Sequence, residues 1–549
     1  MAFSLCINLL MLTVPLYMLQ IFDRVLMSRS VDTLLMLSLL AGAALLTLAL
    51  LEAVRHHLFS RFSTWFEAEL SGPLLRTSIL RALGPGQTGV QGLRDLASVR
   101  SFLSGPTIFP LLDGPWTPVY LVVIYLLHSW LGWIAIGGAA ALAVLAMLNE
   151  LLVRRGQNFV SMGTISAMRQ AETATRNADA VGAMGMMSNL LDRWQRKVYE
   201  IQSVQARLGS RAAAIVAISK FLRLTLQTGV LGTGAYLVVL GDITAGAMIA
   251  ASILMGRALA PLDAAIGTWR SAVSARAAWR RLKAQLAGVR DVGHPVSLPV
   301  PKGRVEVRDL TYAFDGIEDP VLRNVRFELE PGEALAIIGP SGSGKTTLAR
   351  LLVGNLIPRF GHVRLDGAEI GRWHASDRGQ YVGFLPQNVE LFGGTVHENI
   401  SRLADVDSDA VLEASRLAGA HEMILRLPNG YETEIGEGGM ALSGGQRQWI
   451  ALARALYGGP KLVVLDEPNA NLDHNGEMAF LAAMQALASA GATVVVIAHR
   501  PSILQHVDKV LVLRDGLVQA YGTRDEVLPK VIAARSNQNG PRPERQIHG

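Results

Sequence analysis

Nine consecutive residues, Gly339, Pro340, Ser341, Gly342, Ser343, Gly344, Lys345, Thr346 and Thr347, carry the spacing G-x-x-x-x-G-K-[ST] of a phosphate loop. They follow the apolar run "ALAIIG" and lead into the helical "TTLARLLVG", the strand–loop–helix setting that such a loop requires. The glycines let backbone N–H groups wrap phosphate oxygens. Lys345 supplies a point charge for the β and γ oxygens, and the Thr346 hydroxyl a ligand for Mg²⁺. A second apolar run, "KLVVLDE", ends in two adjacent acids. Side chains alternate along a strand, so these acids take different jobs. Asp466 is placed to hold the magnesium's water shell, and Glu467 to orient and polarise the attacking water.

Four further groups fit the same chemistry less specifically. His499 ends the run "TVVVIAH", where an α/β sheet binds ligands, and is a candidate γ-phosphate contact; a lone His is more often structural. Gln387, in "GFLPQN", offers an amide oxygen to Mg²⁺ or the water, or is an ordinary surface residue. Tyr312, in "LTYAF", is either a ring for adenine to stack on or a strand aromatic packed in the core. Finally, in "MALSGGQRQWIALARAL", Ser443, Gly444, Gly445 and Gln446 open an apolar-periodic helix, a second anion-binding N-terminus about a hundred residues after the first. One nucleotide does not need two cradles from one chain.

The elements that must position these residues are legible as well. From Arg304 onward, short Val/Ile/Leu runs alternate with helical patterns, as in a parallel α/β sheet buried on both faces. The first half of the chain is different. No Asp, Glu, Lys or Arg lies between Asp32 and Glu52, from Gly114 to Asn149, or from Leu224 to Gly241. Runs of about 18 residues or more have the length of a membrane helix. Six such helices are predicted, at roughly 2–21, 33–53, 108–127, 131–152, 212–240 and 243–263, with breaks at "LLHSWLGW" and "LGDIT". The resulting organisation is a membrane domain over 1–285, a Pro-rich linker over 286–303, an α/β domain over 304–530 and a disordered tail over 531–549.

Charge sets the orientation. Residues 52–112 contain six Arg, and residues 153–211 eight Arg and one Lys, so these loops are expected on the cytoplasmic side, with both termini. They are long and periodic, and are expected to be membrane helices continuing into the cytoplasm and folding back. Lys220, Arg223 and Arg257 fall within helices five and six, and either snorkel to the inner interface or line a hydrated substrate path. The formal charge of +6 is spread along the chain, which argues against a nucleic acid partner. The single cysteine, Cys6, excludes an internal disulfide framework or a Cys-rich metal site. The first apolar stretch has no basic n-region and no small-residue cleavage site, and reads as a retained helix.

Taken together, "GPSGSGKTT", "LPQ", "LSGGQRQ", "VVLDEP", "NLD" and "AH" stand in the order of an ATP-binding cassette domain, which residues 303–530 resemble. The resemblance implies that Tyr312 stacks on adenine and that Gln387 is the Q-loop. It likewise makes Ser443–Gln446 the signature motif, Asp473 the D-loop and His499 the switch histidine. It also implies an answer to the doubled cradle: two cassettes dimerise head-to-tail, and the phosphate loop of one and the signature of the other hold the same ATP. One cassette and six spans then make a half-transporter, a homodimer with two competent composite sites.

The membrane half resembles type I secretion ATPases, particularly the alkaline-protease and RTX-protein exporters, in "NLLMLTVPLYMLQIFDRVLMSRSVDTLLML" and "RDLASVRSFLSGPTIFPLLDGPWTPVYLVVIYLLHSWLG". "ETEIGEGGMALSGGQ" is similar to the exporter form of the cassette. The implied protein is a multi-pass protein of the bacterial inner membrane with a cytoplasmic ATPase domain. Its implied cargo is unfolded protein with an uncleaved C-terminal secretion signal. Its implied partners are a periplasmic adaptor (membrane fusion) protein and an outer-membrane channel protein. No peptidase-like domain is expected before the first helix, and Cys6, without a nearby His, is no candidate nucleophile. "RDLASVRSFLSG" and "RNADAVGAMGMMSNL", the latter with Met184, Met186 and Met187, are expected to couple the two domains. Export of a small amphiphile, peptide or lipid by the same architecture is the alternative. A membrane-anchored regulatory ATPase that transports nothing is a more remote one.

Overall fold

The computed structural model describes residues 2–83, 91–287, 299–314, 317–404, 407–469, 474–498 and 500–530. Most of the expected linker, the tail, Asp473 and His499 lie outside the described residues. Contacts divide the chain into two compact units, one drawn from Met1–Ile79 and Thr88–Val289, the other from Leu80–Gln87 and Arg290–Gly549.

In the first unit the described residues form six helical segments long and apolar enough to cross a membrane. They are Phe3–Ser28, Val31–Ala82, Pro106–Leu127, Ser129–Arg176, Met187–Leu240 and Ala245–Ala287. Each expected span lies within one of them, apart from its first residue or two at the first and last. The fifth helix has 54 residues. At 1.5 Å per residue it runs about 81 Å, far beyond the ~30 Å hydrocarbon layer. The basic stretches are therefore helical continuations of the spans, as expected. The break in "LLHSWLGW" falls at His128, which is extended (φ −164°) and whose ring accepts from the Trp130 N–H at 3.2 Å. The break in "LGDIT" falls at Gly241, whose φ of 82° favours glycine. There the N–H groups of Gly241 and Asp242 close the helix on Val238 and Leu237.

Polar residues tie these helices together. Asp113 accepts from Arg55 at 3.0 Å and from Asn8 at 3.2 Å, and the Tyr120 hydroxyl donates to Asn8 Oδ1 at 2.9 Å. Arg55 also lies 4.5 Å from the Phe109 ring centroid. Asp263 accepts from Ser219 at 2.5 Å and pairs with Arg223 at 3.2 Å. Of the three cations in helices five and six, Arg223 is thus held inside the bundle, while Lys220 and Arg257 are exposed. Asp23 reads in the sequence as part of a loop. It stands instead on a π turn, Ile21–Val25, and accepts from Thr244 Oγ1 at 2.6 Å and Gly246 N at 3.0 Å, capping the sixth helix.

"RDLASVRSFLSG" forms the helix Gln91–Ser104. Its buried face is spent within the unit: Arg281 forks onto Asp95 through two bonds of 2.8 Å, and Leu96 and Val99 pack with Leu74, Ala278 and Leu282. In "RNADAVGAMGMMSNL", a short helix, Ala178–Ala183, is followed by the exposed Met184, Met186 and Met187.

Among the described residues the second unit has ten strands: β1 Val305–Tyr312, β2 Leu322–Leu329, β3 Ala334–Ile338, β4 Phe360–Leu365, β5 Ala368–Glu369, β6 Val382–Leu385, β7 Leu462–Asp466, β8 Thr493–Ile497, β9 Lys509–Arg514 and β10 Leu517–Thr523. One sheet has the order β2-β1-β4-β5, the other β10-β9-β3-β8-β7-β6. In the second sheet β9, β3, β8, β7 and β6 are mutually parallel. Its apolar runs are buried on both faces. Ala334, Ala336, Val463, Leu465, Val494 and Val496 belong to one core, while Leu335, Ile337, Leu462, Val464, Val495 and Ile497 belong to the other. That alternation explains why the strands read as unbroken hydrophobic runs.

Candidate active site

Register brings the chemistry together. β3 pairs with β8 and β8 with β7, so that Ile337 and Asp466 both lie opposite Ile497. The phosphate loop leaves β3, the paired acids end β7, and Gln387 follows β6 on the far side of β7. All three emerge from the carboxyl ends of neighbouring parallel strands, where a crevice forms.

The loop Gly339–Thr347 turns directly into the helix Lys345–Leu352. A Cβ at Gly339 would run into the Leu513 carbonyl oxygen, and Gly344 has φ 97° with Leu322 packed against its Cα, so neither position accepts another residue. The Ser343 hydroxyl is buried with no hydrogen-bond partner among the described residues. Lys345 is buried and donates through Nζ to Gly339 O at 3.0 Å and Pro340 O at 2.8 Å. Burial pushes its pKa below the ordinary lysine value, against the pull of Glu467 and Asp466.

The two acids do part company. Asp466 ends the strand and is 1% exposed. Neither of its carboxylate oxygens makes a hydrogen bond of ordinary geometry among the described residues. Burial raises its pKa, with the neighbouring Thr346 hydroxyl opposing the shift. A buried carboxylate with both oxygens open beside a threonine hydroxyl and a lysine fits a hard cation with oxygen ligands. Glu467 leaves the strand with φ 52° and is half-buried. Gln387 Nε2 donates to Glu467 Oε2 at 3.2 Å, which brings the exposed glutamine beside the acids.

Ser443 caps the helix Gly444–Leu456 as expected. Its hydroxyl accepts from Gln446 N at 3.3 Å while Gln446 Oε1 accepts from Ser443 N at 2.8 Å. Two supports went unread in the sequence. Gln448, buried on the same helix, donates to Pro468 O at 2.6 Å and reaches Glu467 O at 3.4 Å, anchoring the backbone that carries Glu467. Arg402 closes the helix's other end on the carbonyls of Arg454, Ala455 and Tyr457 at 3.0–3.2 Å. Neither has a local signature, since each acts on a carbonyl at least 19 residues away.

One expectation is corrected. Tyr312 is 7% exposed and packs in the core between the two sheets, so its ring face is not offered to a base. Phe314, two residues beyond on the chain that leaves β1, is half-buried and meets Tyr312 edge-on at 5.2 Å. Tyr312 pairs with Leu322, which packs on Gly344, so this end of β1 stands beside the phosphate loop. Phe314→Ala is expected to raise the KM for ATP about tenfold, the worth of one base–aromatic stack, with Tyr312→Phe unchanged. Steady-state ATPase kinetics on the two variants check this.

Comparison with known proteins agrees with the geometry. Residues 322–470 match the ABC transporter family model. The Type I secretion system ATP-binding protein PrsD of Rhizobium meliloti is 43% identical over 535 residues, 96% of this chain and 91% of that one. The Cyclolysin secretion/processing ATP-binding protein CyaB of Bordetella pertussis is 30% identical over 96% of this chain and 75% of that one. The Leukotoxin translocation ATP-binding protein LktB of Mannheimia haemolytica is 28% identical with the same coverage. A solved structure of a bacterial Atm1-family ABC exporter with ATP bound superposes with a TM-score of 0.80 at 22% identity, over 99% of this chain and 97% of that one. It shares the fold. A match that covers membrane helices and cassette together places the chain among the type I secretion ATP-binding proteins, as a multi-pass inner-membrane ABC exporter for protein secretion whose cytoplasmic cassette hydrolyses ATP.

Proposed function

We propose that two copies of this chain form the exporter and hold two ATP molecules between them, each gripped by the phosphate loop of one copy and Ser443–Gln446 of the other. One observation carries this reading. Among the described residues, the capping side chains of Ser443 and Gln446, at the exposed start of a 13-residue helix, bond only to each other's backbone, while Lys345 bonds to its own loop and Gln387 to Glu467. A helix N-terminus of that length attracts anionic oxygens, and a second chain supplies them.

In this reading the backbone of Gly339–Thr347 and Lys345 hold the phosphates. Thr346, Asp466 and Gln387 hold Mg²⁺, which when bound neutralises charge on the β and γ oxygens. Glu467 orients the attacking water and takes its proton, steadied by Gln387. His499 contacts the γ-phosphate, and Asp473 reaches the partner copy. Dimer closure then moves the Met184–Met187 patch and the Gln91–Ser104 helix and reshapes the membrane cavity.

The cargo is unfolded protein with a C-terminal signal, passed to a periplasmic adaptor and an outer-membrane channel. A secretion assay tests this. The chain is co-expressed with an adaptor, a channel and an RTX-type cargo, as wild type and as Glu467→Gln. Full-length cargo in the medium with wild type alone is expected. Equal cargo with both denies ATP-driven secretion. Stimulation of the ATPase by a lipid or drug, and not by a polypeptide, shifts the reading to small-amphiphile export.

A further inference from the structure

Away from the phosphate loop, the first unit carries a half-open cavity of about 560 Å³. Phe66, Phe102, Trp269 and Trp279 line it, with Phe66 6.0 Å from Trp279, centroid to centroid. The Trp269 indole N–H is buried and has no hydrogen-bond partner among the described residues. Arg276 and Arg280 stand at the rim, opposed by Glu150 alone among the lining carboxylates. An adjoining polar depression of about 670 Å³ shares Phe102 and Ala275 with the cavity and is lined by Ser98, Ser101, Ser274, Gln157 and Arg270.

We propose that the cavity and its polar extension form a docking site for an extended segment of the secreted polypeptide, with an aromatic or large aliphatic side chain next to a carboxylate. This rests on the protein-export reading. The aromatic walls suit an apolar side chain. The open indole N–H and the two arginines suit an acceptor with negative charge. The serines and Gln157 suit the main-chain N–H and C=O groups of an extended chain, which a lipid tail lacks.

The test uses the full chain in nanodiscs. The probe is a twelve-residue peptide of Gly and Ser carrying two Asp and one photoreactive benzoyl-phenylalanine. Expected are cross-links to the segments around Phe66, Phe102 and 269–280, and stimulation of the ATPase. Arg276→Gln with Arg280→Gln should raise the half-saturating peptide concentration about tenfold, and Val273→Trp, which fills the cavity, should abolish the cross-link. Basal ATPase should stay within about twofold in both. A control peptide with Lys for Asp should fail. Cross-links elsewhere, or capture undiminished in both variants, overturn the site while leaving protein export standing. No response of the wild type to this peptide or to RTX-type cargo overturns both. Labelling of the cavity by a photoreactive phospholipid that the peptide does not displace makes it a lipid site. A disulfide between two copies of Ala272→Cys at rest, with peptide capture lost, makes it a subunit contact.

Discussion

In Glu467→Gln, ATP turnover is expected to fall by about a thousandfold while nucleotide still binds, since a positioned general base contributes roughly 10²–10⁴-fold. The substitution keeps the side chain's length and its contact with Gln387, 3.2 Å away, and removes only the charge that accepts the proton. The loss should therefore appear in kcat and not in nucleotide affinity. Single-turnover hydrolysis with an independent measurement of ATP binding separates the two. In the two-copy arrangement the slow variant should also accumulate as an ATP-bound dimer, visible by size-exclusion chromatography in detergent. Wild-type turnover in this variant would falsify the role given to Glu467.

Lys345→Ala acts one step earlier. The ammonium is buried among the loop carbonyls of Gly339 and Pro340, where bulk water does not replace it. Removing one partner of a desolvated charge pair costs about 2–5 kcal/mol, so ATP affinity should drop by roughly 30-fold or more. Asp466 makes the loss worse. Its carboxylate is already disfavoured by burial, and the lysine is one of the charges that hold it ionised. Binding of a fluorescent ATP analogue measures the affinity. Thermal unfolding without nucleotide should move little, which distinguishes a lost phosphate contact from a damaged fold.

Much of this was legible in the residues because the information is local. A phosphate loop is nine neighbouring residues whose backbone does the binding, so Gly339–Thr347 announces itself. The spans follow from the cost of burying charge in hydrocarbon, and a window without Asp, Glu, Lys or Arg marks them wherever it lies. The breaks at His128 and Gly241 and the Ser443–Gln446 capping box are equally local, each a matter of a few adjacent dihedrals. Asp466 and Glu467 part for a local reason as well, because the strand ends at Asp466 and Glu467 leaves it with φ 52°.

Other features depend on which distant residue arrives opposite, and composition does not encode that. Tyr312 and Phe314 are aromatics two positions apart. Only the packing of one sheet on the other decided that the first is buried in the core and the second lies half-exposed at its edge. Arg223 reads as a lone cation in a membrane helix until Asp263, 40 residues on, is brought to 3.2 Å. Asp23 is a loop acid in sequence and the cap of a helix more than 200 residues later in space. Gln448 and Arg402 reach carbonyls fixed by other elements. The chain by itself determined that it crosses a membrane and binds nucleotide, because both rest on short-range patterns of polarity and backbone. The tertiary structure alone decided which buried polar groups find partners and which, such as Asp466 and Trp269, are left open among the described residues, because a hydrogen bond is a property of two places in space.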